Sequence, residues 1–139
     1  MQPAVIFIPD AHVPYLDAKA WANVSQFIRS ERPAKAVILG DFMDCYYVSR
    51  YDKTPGRPSL RQEVDAARDL LAELRPFVPD IIYLEGNHEQ RLRKFLVRHA
   101  PELQGVEPTI PALLKLNELG IRWVPWGTPA IVNGVWVEH

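Results

Sequence analysis

The sequence has little of what marks secreted or membrane-spanning proteins. One cysteine among 139 residues cannot form an internal disulfide, which is typical of a protein kept in a reducing compartment. The first residues, "MQPAVIFIP", carry no basic start, and their apolar run is too short for a signal peptide or a membrane span. We therefore expect a cytoplasmic protein that makes no use of a membrane.

A large excess of charge of either sign is also missing. The 16 Lys and Arg residues nearly balance the 17 Asp and Glu residues, so no global field draws the protein to nucleic acid, and any basic patch must be local. At this length, an apolar content of 47% is enough for one domain with a core. We predict a single domain over residues 1–139, without repeats or low-complexity segments.

Short apolar runs rich in β-branched residues alternate with longer segments of helical period. The predicted strands are residues 4–9, 35–40, 80–86, 121–126 and, around an Asn-Gly turn, 130–138. The first three are almost continuously apolar, as strands buried on both faces are. This alternation predicts an α/β fold with a mostly parallel sheet.

Four helical segments are predicted, and start signals place them. In chain order the signals are Asp17, Ser59, a position near His88, and Pro111. Ser59 and Gln62 form a capping-box pattern at the second helix. The third helix should end near His99 and the fourth near Gly120. Residues 46–58 fit neither period and are predicted to form a long functional loop.

The apolar runs lead into side chains of the kind that bind metals. In chain order these are Asp10 and His12, Asp41 and Asp44, then Asn87, His88 and Glu89, and finally His139. The carboxyl ends of neighbouring parallel strands lie side by side, so we expect these side chains to converge. Hard oxygens combined with imidazoles suit Mn, Fe or Zn better than Ca. The pattern predicts a site for two nearby divalent ions.

Three motifs carry a resemblance to a known family. "DAH" at 10–12, "GDFMD" at 40–44 and "GNHE" at 86–89 occur in this order, each after a predicted strand. They resemble the D-x-H, G-D-x-x-D and G-N-H-E/D motifs of the calcineurin-like metallophosphoesterases. The sequence around the motifs is similar to that of family members encoded by bacteriophages and their hosts. The resemblance implies a four-layer α/β/β/α sandwich with a dinuclear site that hydrolyses phosphate esters.

The resemblance also implies a set of metal ligands. Asp10 and His12 would bind one ion, Asp41 would bridge both ions, and Asn87 would bind the second. His139 stands where the family has a lone His on a strand. Two divalent ions are implied; Mn is our first expectation, and Fe, Zn, Ni and Mg are alternatives.

Three further residues receive roles from the same resemblance. His88 would face the substrate and protonate or stabilise the leaving oxygen, and it would not be a ligand. Asp44 and Glu89 would not bind the ions but would contact the ligands and hold them in position. An imidazole suits a proton donor because its ordinary pKa lies near neutrality.

One family element is missing from these residues. A G-H-x-H segment should follow the lone His, and the sequence contains none. We expect either a truncated chain or a reduced relative. Truncation is favoured because the ending "AIVNGVWVEH" is strand-forming and would leave an open sheet edge, through which copies could associate. A Glu-His ending is also typical of an affinity-tag remnant, which leaves the role of His139 open.

Ordinary structural roles compete with these functional ones. A single Asp or His after a strand is usually a turn or cap residue, although several such events together favour chemistry. A cluster of basic residues could steer a phosphate-rich substrate or only form a solvated helix face: Arg91, Arg93, Lys94 and Arg98. The loop tyrosines could stack on a base or only anchor the loop: Tyr46, Tyr47 and Tyr51.

Two functions of different class follow. The first is a phosphohydrolase acting on a phosphodiester or monoester, with a nucleotide or nucleic acid among the candidate substrates. The second is a non-catalytic metallophosphoesterase-like module that binds protein. Asp41, Asn87 and His88 together favour the enzyme, because a scaffold needs no proton donor. The missing last motif favours the module.

Overall fold

Residues 4–139, which the computed structural model describes, form a parallel sheet of four strands and a separate two-stranded hairpin. The sheet contains β1 (Val5–Ile8), β2 (Lys35–Ile38), β3 (Asp80–Leu84) and β4 (Ile121–Val124). The strands lie side by side in chain order, and all neighbours are parallel. The α/β class with a parallel sheet, predicted from the alternating pattern, is confirmed.

Four α-helices connect the strands: α1 (Ala18–Glu31), α2 (Leu60–Leu74), α3 (Gln90–His99) and α4 (Ile110–Leu113). Asp17 caps α1 by accepting hydrogen bonds from the amides of Lys19 and Ala20. Ser59 and Gln62 form the predicted capping box at α2. Both caps satisfy amides that have no partner within the helix.

The fourth helix differs from its prediction. It begins one residue before Pro111, capped by Thr109, and ends at Leu113 instead of near Gly120. The chain turns after Leu113 because Lys115 adopts a left-handed backbone with φ of 55°. Residues 46–58 form the expected irregular segment, interrupted only by a short 3-10 helix at Tyr46–Val48.

The two faces of the parallel sheet are covered by different elements. Strands joined in chain order by right-handed crossovers place all connecting helices on one face. On that face Ile38 and Ile81 belong to one apolar core with Leu71 of α2. On the other face Val37 and Ile82 pack against the hairpin instead, in a second core that includes Ala130, Val132 and Val137. Helices, sheet and hairpin therefore form three successive layers.

The hairpin consists of β5 (Ala130–Val132) and β6 (Val135–Val137), which pair antiparallel. Asn133 and Gly134 have φ of 49° and 81°, the left-handed values that a tight two-residue hairpin turn requires. The strands predicted within 130–138 and their turn are confirmed. Association through the hairpin edge stays a prediction. No helix within residues 4–139 is long and apolar enough to cross a membrane.

A buried glutamate ties α2 to the segment after β2. The Glu63 carboxylate is fully buried and accepts hydrogen bonds from the amides of Cys45, at 2.7 Å, and Tyr46, at 3.1 Å. Burial raises the pKa of Glu63 to about 7, although the two amides favour the ionised form. The charge of this anchor therefore changes near neutral pH.

We predict that Glu63 gives the fold a measurable pH dependence. Its folded pKa of about 7 lies above its ordinary value of 4.5, so its contribution to stability is fully present below pH 4.5 and is lost as pH rises through 7. Relative to Glu63→Gln, the wild-type free energy of unfolding should fall between pH 4.5 and pH 8 by at most about 3 kcal/mol. Urea unfolding across this range measures the difference. Parallel pH profiles for the two proteins would contradict the prediction.

Candidate metal centre

The loops after β1 and β2 are paired through their backbones. The His12 amide donates to the Asp41 carbonyl at 3.0 Å, and the Val13 amide donates to the Phe42 carbonyl at 2.7 Å. The Asp44 amide returns a bond to the Val13 carbonyl at 3.0 Å. These bonds extend the parallel pairing beyond the strands, so that His12 is placed beside Asp41.

Several residues of these loops adopt a backbone that is rare for L-amino acids. The φ angles of Asp10, His12 and Asp41 are 39°, 47° and 48°, and that of Cys45 is 52°. Each such residue costs on the order of 1–3 kcal/mol, and such strain is concentrated at functional sites. The geometry after β1 and β2 is therefore held by the surrounding hydrogen bonds.

A second buried glutamate holds the ends of β2 and β3 together. Glu89 accepts four hydrogen bonds: from the amides of Asp41 and Gly86, both at 2.9 Å, from the amide of Met43 at 3.1 Å, and from the Tyr83 hydroxyl at 2.7 Å. Burial raises the pKa of this carboxyl, while the amide of Met43 and the hydroxyl of Tyr83 oppose the shift. One carboxylate thus fixes Asp41 relative to the start of α3.

Two glycines allow the strand ends to approach each other. A Cβ on Gly86 would lie 2.2 Å from both the amide nitrogen and Oδ1 of Asp41. A Cβ on Gly40 would lie 2.7 Å from Nδ1 of His139 and 2.8 Å from the Gly86 backbone. Any side chain at either position would push the candidate ligands apart.

Three side chains converge on one point at the carboxyl end of the sheet. His12, Asp41 and His88 each offer one ligand atom, and these atoms lie within 4.8 Å of one another. Nε2 of His88 is 3.8 Å from Oδ2 of Asp41, and the two imidazole rings have centroids 4.4 Å apart. This group could hold a metal ion. Two imidazoles and a carboxylate suit a transition metal better than Ca.

The other oxygen of Asp41 faces a second set of donors. Nε2 of His139 lies 3.6 Å from Oδ1 of Asp41 and 3.0 Å from Oδ1 of Asn87. Nδ1 of His139 lies 2.6 Å from the Leu39 carbonyl, to which it can only donate. Nε2 of His139 therefore lies next to two oxygen atoms that can bind a cation together with it.

His88 is held from both sides of its ring. The Arg91 guanidinium lies 2.8 Å from Nε2 and can only donate, so Nε2 accepts. Nδ1 then carries the proton and donates to the Asp44 carbonyl at 2.9 Å. Burial lowers the pKa of His88; Arg91 and His12 add to this effect, and Asp41 and Asp44 oppose it. The neutral imidazole is therefore the form present at neutral pH.

The site residues predicted from the sequence do not all lie within one cluster. His12, Asp41 and His88 form the compact group, and Asp44 borders it, 3.4 Å from both imidazoles. Asp10 follows β1 but is exposed and lies outside that group, so its role as a ligand stays a prediction. The group includes His88, which the motif resemblance assigned to proton transfer and not to metal binding.

Two contributors to the site are not assigned from the sequence. Arg91 stands only among the helix cations, although its spacing of three residues from His88 is one helical turn and predicts contact. Tyr83 lies in a predicted strand, and no local signal indicates that its hydroxyl reaches Glu89. The first contact could have been predicted; the second depends on the fold.

A scan against protein-family models found no match for this chain, and a search of curated proteins found none. The chemistry of the site is therefore inferred from its donor atoms. Asp41 is 6% exposed and faces imidazoles on one side and an amide with a third imidazole on the other. Such a carboxylate is suited to sit between two cations, because its negative charge is then shared by both.

We predict that Gly86→Ala disrupts this centre. The added Cβ collides with backbone as well as with the Asp41 side chain, so the free energy of unfolding should fall by about 1–3 kcal/mol or more, and Mn²⁺ affinity should fall with it. Gly56→Ala is the control, since its Cβ meets open space and bears only the strain of a φ of 82°. Urea unfolding and calorimetric Mn²⁺ titration compare the two. Equal effects of both substitutions would contradict a role for close packing at Gly86.

Proposed function

We propose that this chain is a metal-dependent phosphoesterase that hydrolyses phosphodiester or phosphomonoester bonds with two divalent ions. The observation that carries the proposal is the position of Asp41. The carboxylate lies in one compact group with His12, and its Oδ1 lies 3.6 Å from Nε2 of His139. One carboxylate between two donor sets is the arrangement that a bridging ligand needs. The motif resemblance adds support from the sequence.

The donors divide into two ligand sets under this proposal. Asp10, His12 and Asp41 would hold one ion, and Asp41, Asn87 and His139 would hold the other. When bound, two divalent ions neutralise charge on the phosphoryl oxygens and lower the pKa of water toward about 7. Mn²⁺ is our first choice for a mixed set of oxygens and imidazoles. The four-layer sandwich is part of the same proposal, and the three observed layers support it.

The chain's own residues then position the ester and move a proton. Asp41 must be an anion, whereas Asn87 adds a ligand oxygen without adding charge. Nε2 of His88 accepts a hydrogen bond from Arg91 in the free protein. A phosphoryl group that takes over the hydrogen bonds of Arg91 frees the lone pair of Nε2, which must first take up a proton from solvent before it can pass that proton to the departing oxygen. Substrate binding to Arg91 would thus remove the hydrogen bond that Arg91 donates to Nε2 of His88 in the free protein.

We predict that Asp41→Asn removes both metal binding and turnover. Loss of an outer partner of a metal ligand already costs roughly 10–100-fold, so loss of the shared carboxylate should cost at least about 100-fold. Metal analysis after Mn²⁺ loading, with hydrolysis of bis(p-nitrophenyl) phosphate and p-nitrophenyl phosphate, tests this. Asp65→Asn, which changes a half-exposed carboxylate on α2, is the control. Mn²⁺ binding by wild type without turnover would favour the non-catalytic module.

We predict a second effect that depends on the leaving group. General acid catalysis contributes about 10²–10⁴-fold, so His88→Ala should slow an alkyl phosphodiester by about that factor. A nitrophenyl ester needs little protonation and should be slowed much less. Initial rates on the two esters, with metal content measured for each preparation, decide the question. Equal losses on both esters, or loss of metal, would identify His88 as a ligand instead.

A further inference from the structure

A cleft of about 570 Å³ opens beside the candidate metal centre, and Asn87 and Arg91 line it on the side of the centre. One wall is a face of α3, and the other is the segment that follows the short 3-10 helix. Its cationic and aromatic lining includes Arg50, Tyr51, Arg91, Lys94, Phe95 and Arg98. The cleft therefore combines positive charge with an exposed tyrosine ring next to the site of the proposed chemistry.

The cations on α3 form a row. Arg91, Lys94 and Arg98 are spaced three and four residues apart, so they share one face of the helix. At a rise of about 1.5 Å per residue the row spans roughly 10 Å. A row of this length can face more than one phosphate of a nucleic-acid strand. Arg93, at the opposite side of the helix, lines a different cleft with Leu96 and Val97.

These cations have no internal counter-charge. Among residues 4–139, no carboxylate lies within 4.0 Å of Arg50, Arg91, Lys94 or Arg98. Other cations of the same chain do pair with carboxylates, among them Arg29, Lys35, Arg61, Arg68 and Lys115. The charges of Arg50, Lys94 and Arg98 are therefore available to an external anion, whereas Arg91 also hydrogen-bonds His88 and the Asp44 carbonyl.

The aromatic side chains of the cleft favour nucleic acid over a simple phosphate as its ligand. Tyr51 is 61% exposed, with the Arg50 guanidinium 5.4 Å from its ring centre. Tyr46 differs, because its hydroxyl accepts a hydrogen bond from the Thr54 amide and anchors the loop. Exposed rings beside a cationic track are typical of single-strand binding, where unstacked bases can lie on the rings. The bases of a duplex are already stacked on each other.

We propose that this cleft binds single-stranded nucleic acid, with phosphates along Arg91, Lys94 and Arg98 and a base against Tyr51. Asn87 and Arg91 belong to both the cleft and the metal centre, so a strand in the cleft carries a phosphodiester toward Asp41. The assignment of this strand as substrate rests on the proposed phosphoesterase function. The binding itself requires only the cleft.

The test is binding of a short fluorescent oligo(dT), followed by anisotropy in EDTA at several salt concentrations. Lys94→Gln combined with Arg98→Gln should weaken binding at least tenfold and lower the slope of log affinity against log salt by about 1.4, since each lost phosphate contact on a single strand removes about 0.7. Arg93→Gln is the matched control on the same helix and should keep the wild-type affinity and slope. Equal losses in the control and the test variant would overturn the proposal.

A second pair of variants tests stacking. Tyr51→Ala should weaken binding several-fold to about a hundredfold, while Tyr51→Phe, which keeps the ring, should bind as wild type does. If the hydroxyl and not the ring is what matters, Tyr51→Phe should weaken binding as much as Tyr51→Ala does. Linear polyphosphate and a DNA hairpin serve as competitors. If either displaces oligo(dT) as well as unlabelled oligo(dT) does, the assignment to single strands is wrong.

Failure of this inference and failure of the proposed function are distinguishable. Binding is measured with metal removed, and hydrolysis of bis(p-nitrophenyl) phosphate is measured with Mn²⁺ and no oligonucleotide. Oligonucleotide binding without hydrolysis supports the cleft and overturns the phosphoesterase. Hydrolysis without oligonucleotide binding, even at low salt, supports the phosphoesterase and overturns the cleft.

Discussion

The buried carboxylate of Glu89 is the interaction on which the site depends. It is 1% exposed and receives donors from the end of β2, the end of β3 and the Tyr83 side chain. A buried donor left without a partner costs about 1–3 kcal/mol, so the four donors and this acceptor need one another. Because Glu89 also begins the turn into α3, it sets the position of His88 and Arg91 as well.

The topology explains why the ligand-type side chains collect at one edge of the sheet. Four parallel strands in chain order direct four carboxyl ends to one edge, while helices and hairpin cover the two faces. Acidic and imidazole donors lie at that edge, and the unpaired cations of α3 lie beside them. Opposite charges are thus held a short distance apart without neutralising each other.

The sequence predicts the local features of this structure better than its tertiary contacts. The strands, the caps at Asp17 and Ser59, and the Asn133-Gly134 turn depend on a few adjacent residues and are predicted. The meeting of His12, Asp41 and His88 is also predicted, because parallel strands align their ends. The exposure of Asp10 and the contact of Tyr83 with Glu89 are not, because both depend on loop paths. Early termination of α4 at Leu113 escapes prediction for the same reason.

The left-handed backbone of the loops after β1 and β2 restricts which amino acids these positions accept. Asp, Asn and His are the non-glycine residues most enriched in that conformation, and Asp10, His12 and Asp41 are all of these types. The side chains that tolerate the turn are the same ones that carry oxygen and imidazole donors. Glutamate could supply the same carboxylate oxygens, but it tolerates a positive φ less well and would strain the backbone at these positions. The backbone conformation therefore limits which residue types can occupy these positions, independently of any ligand.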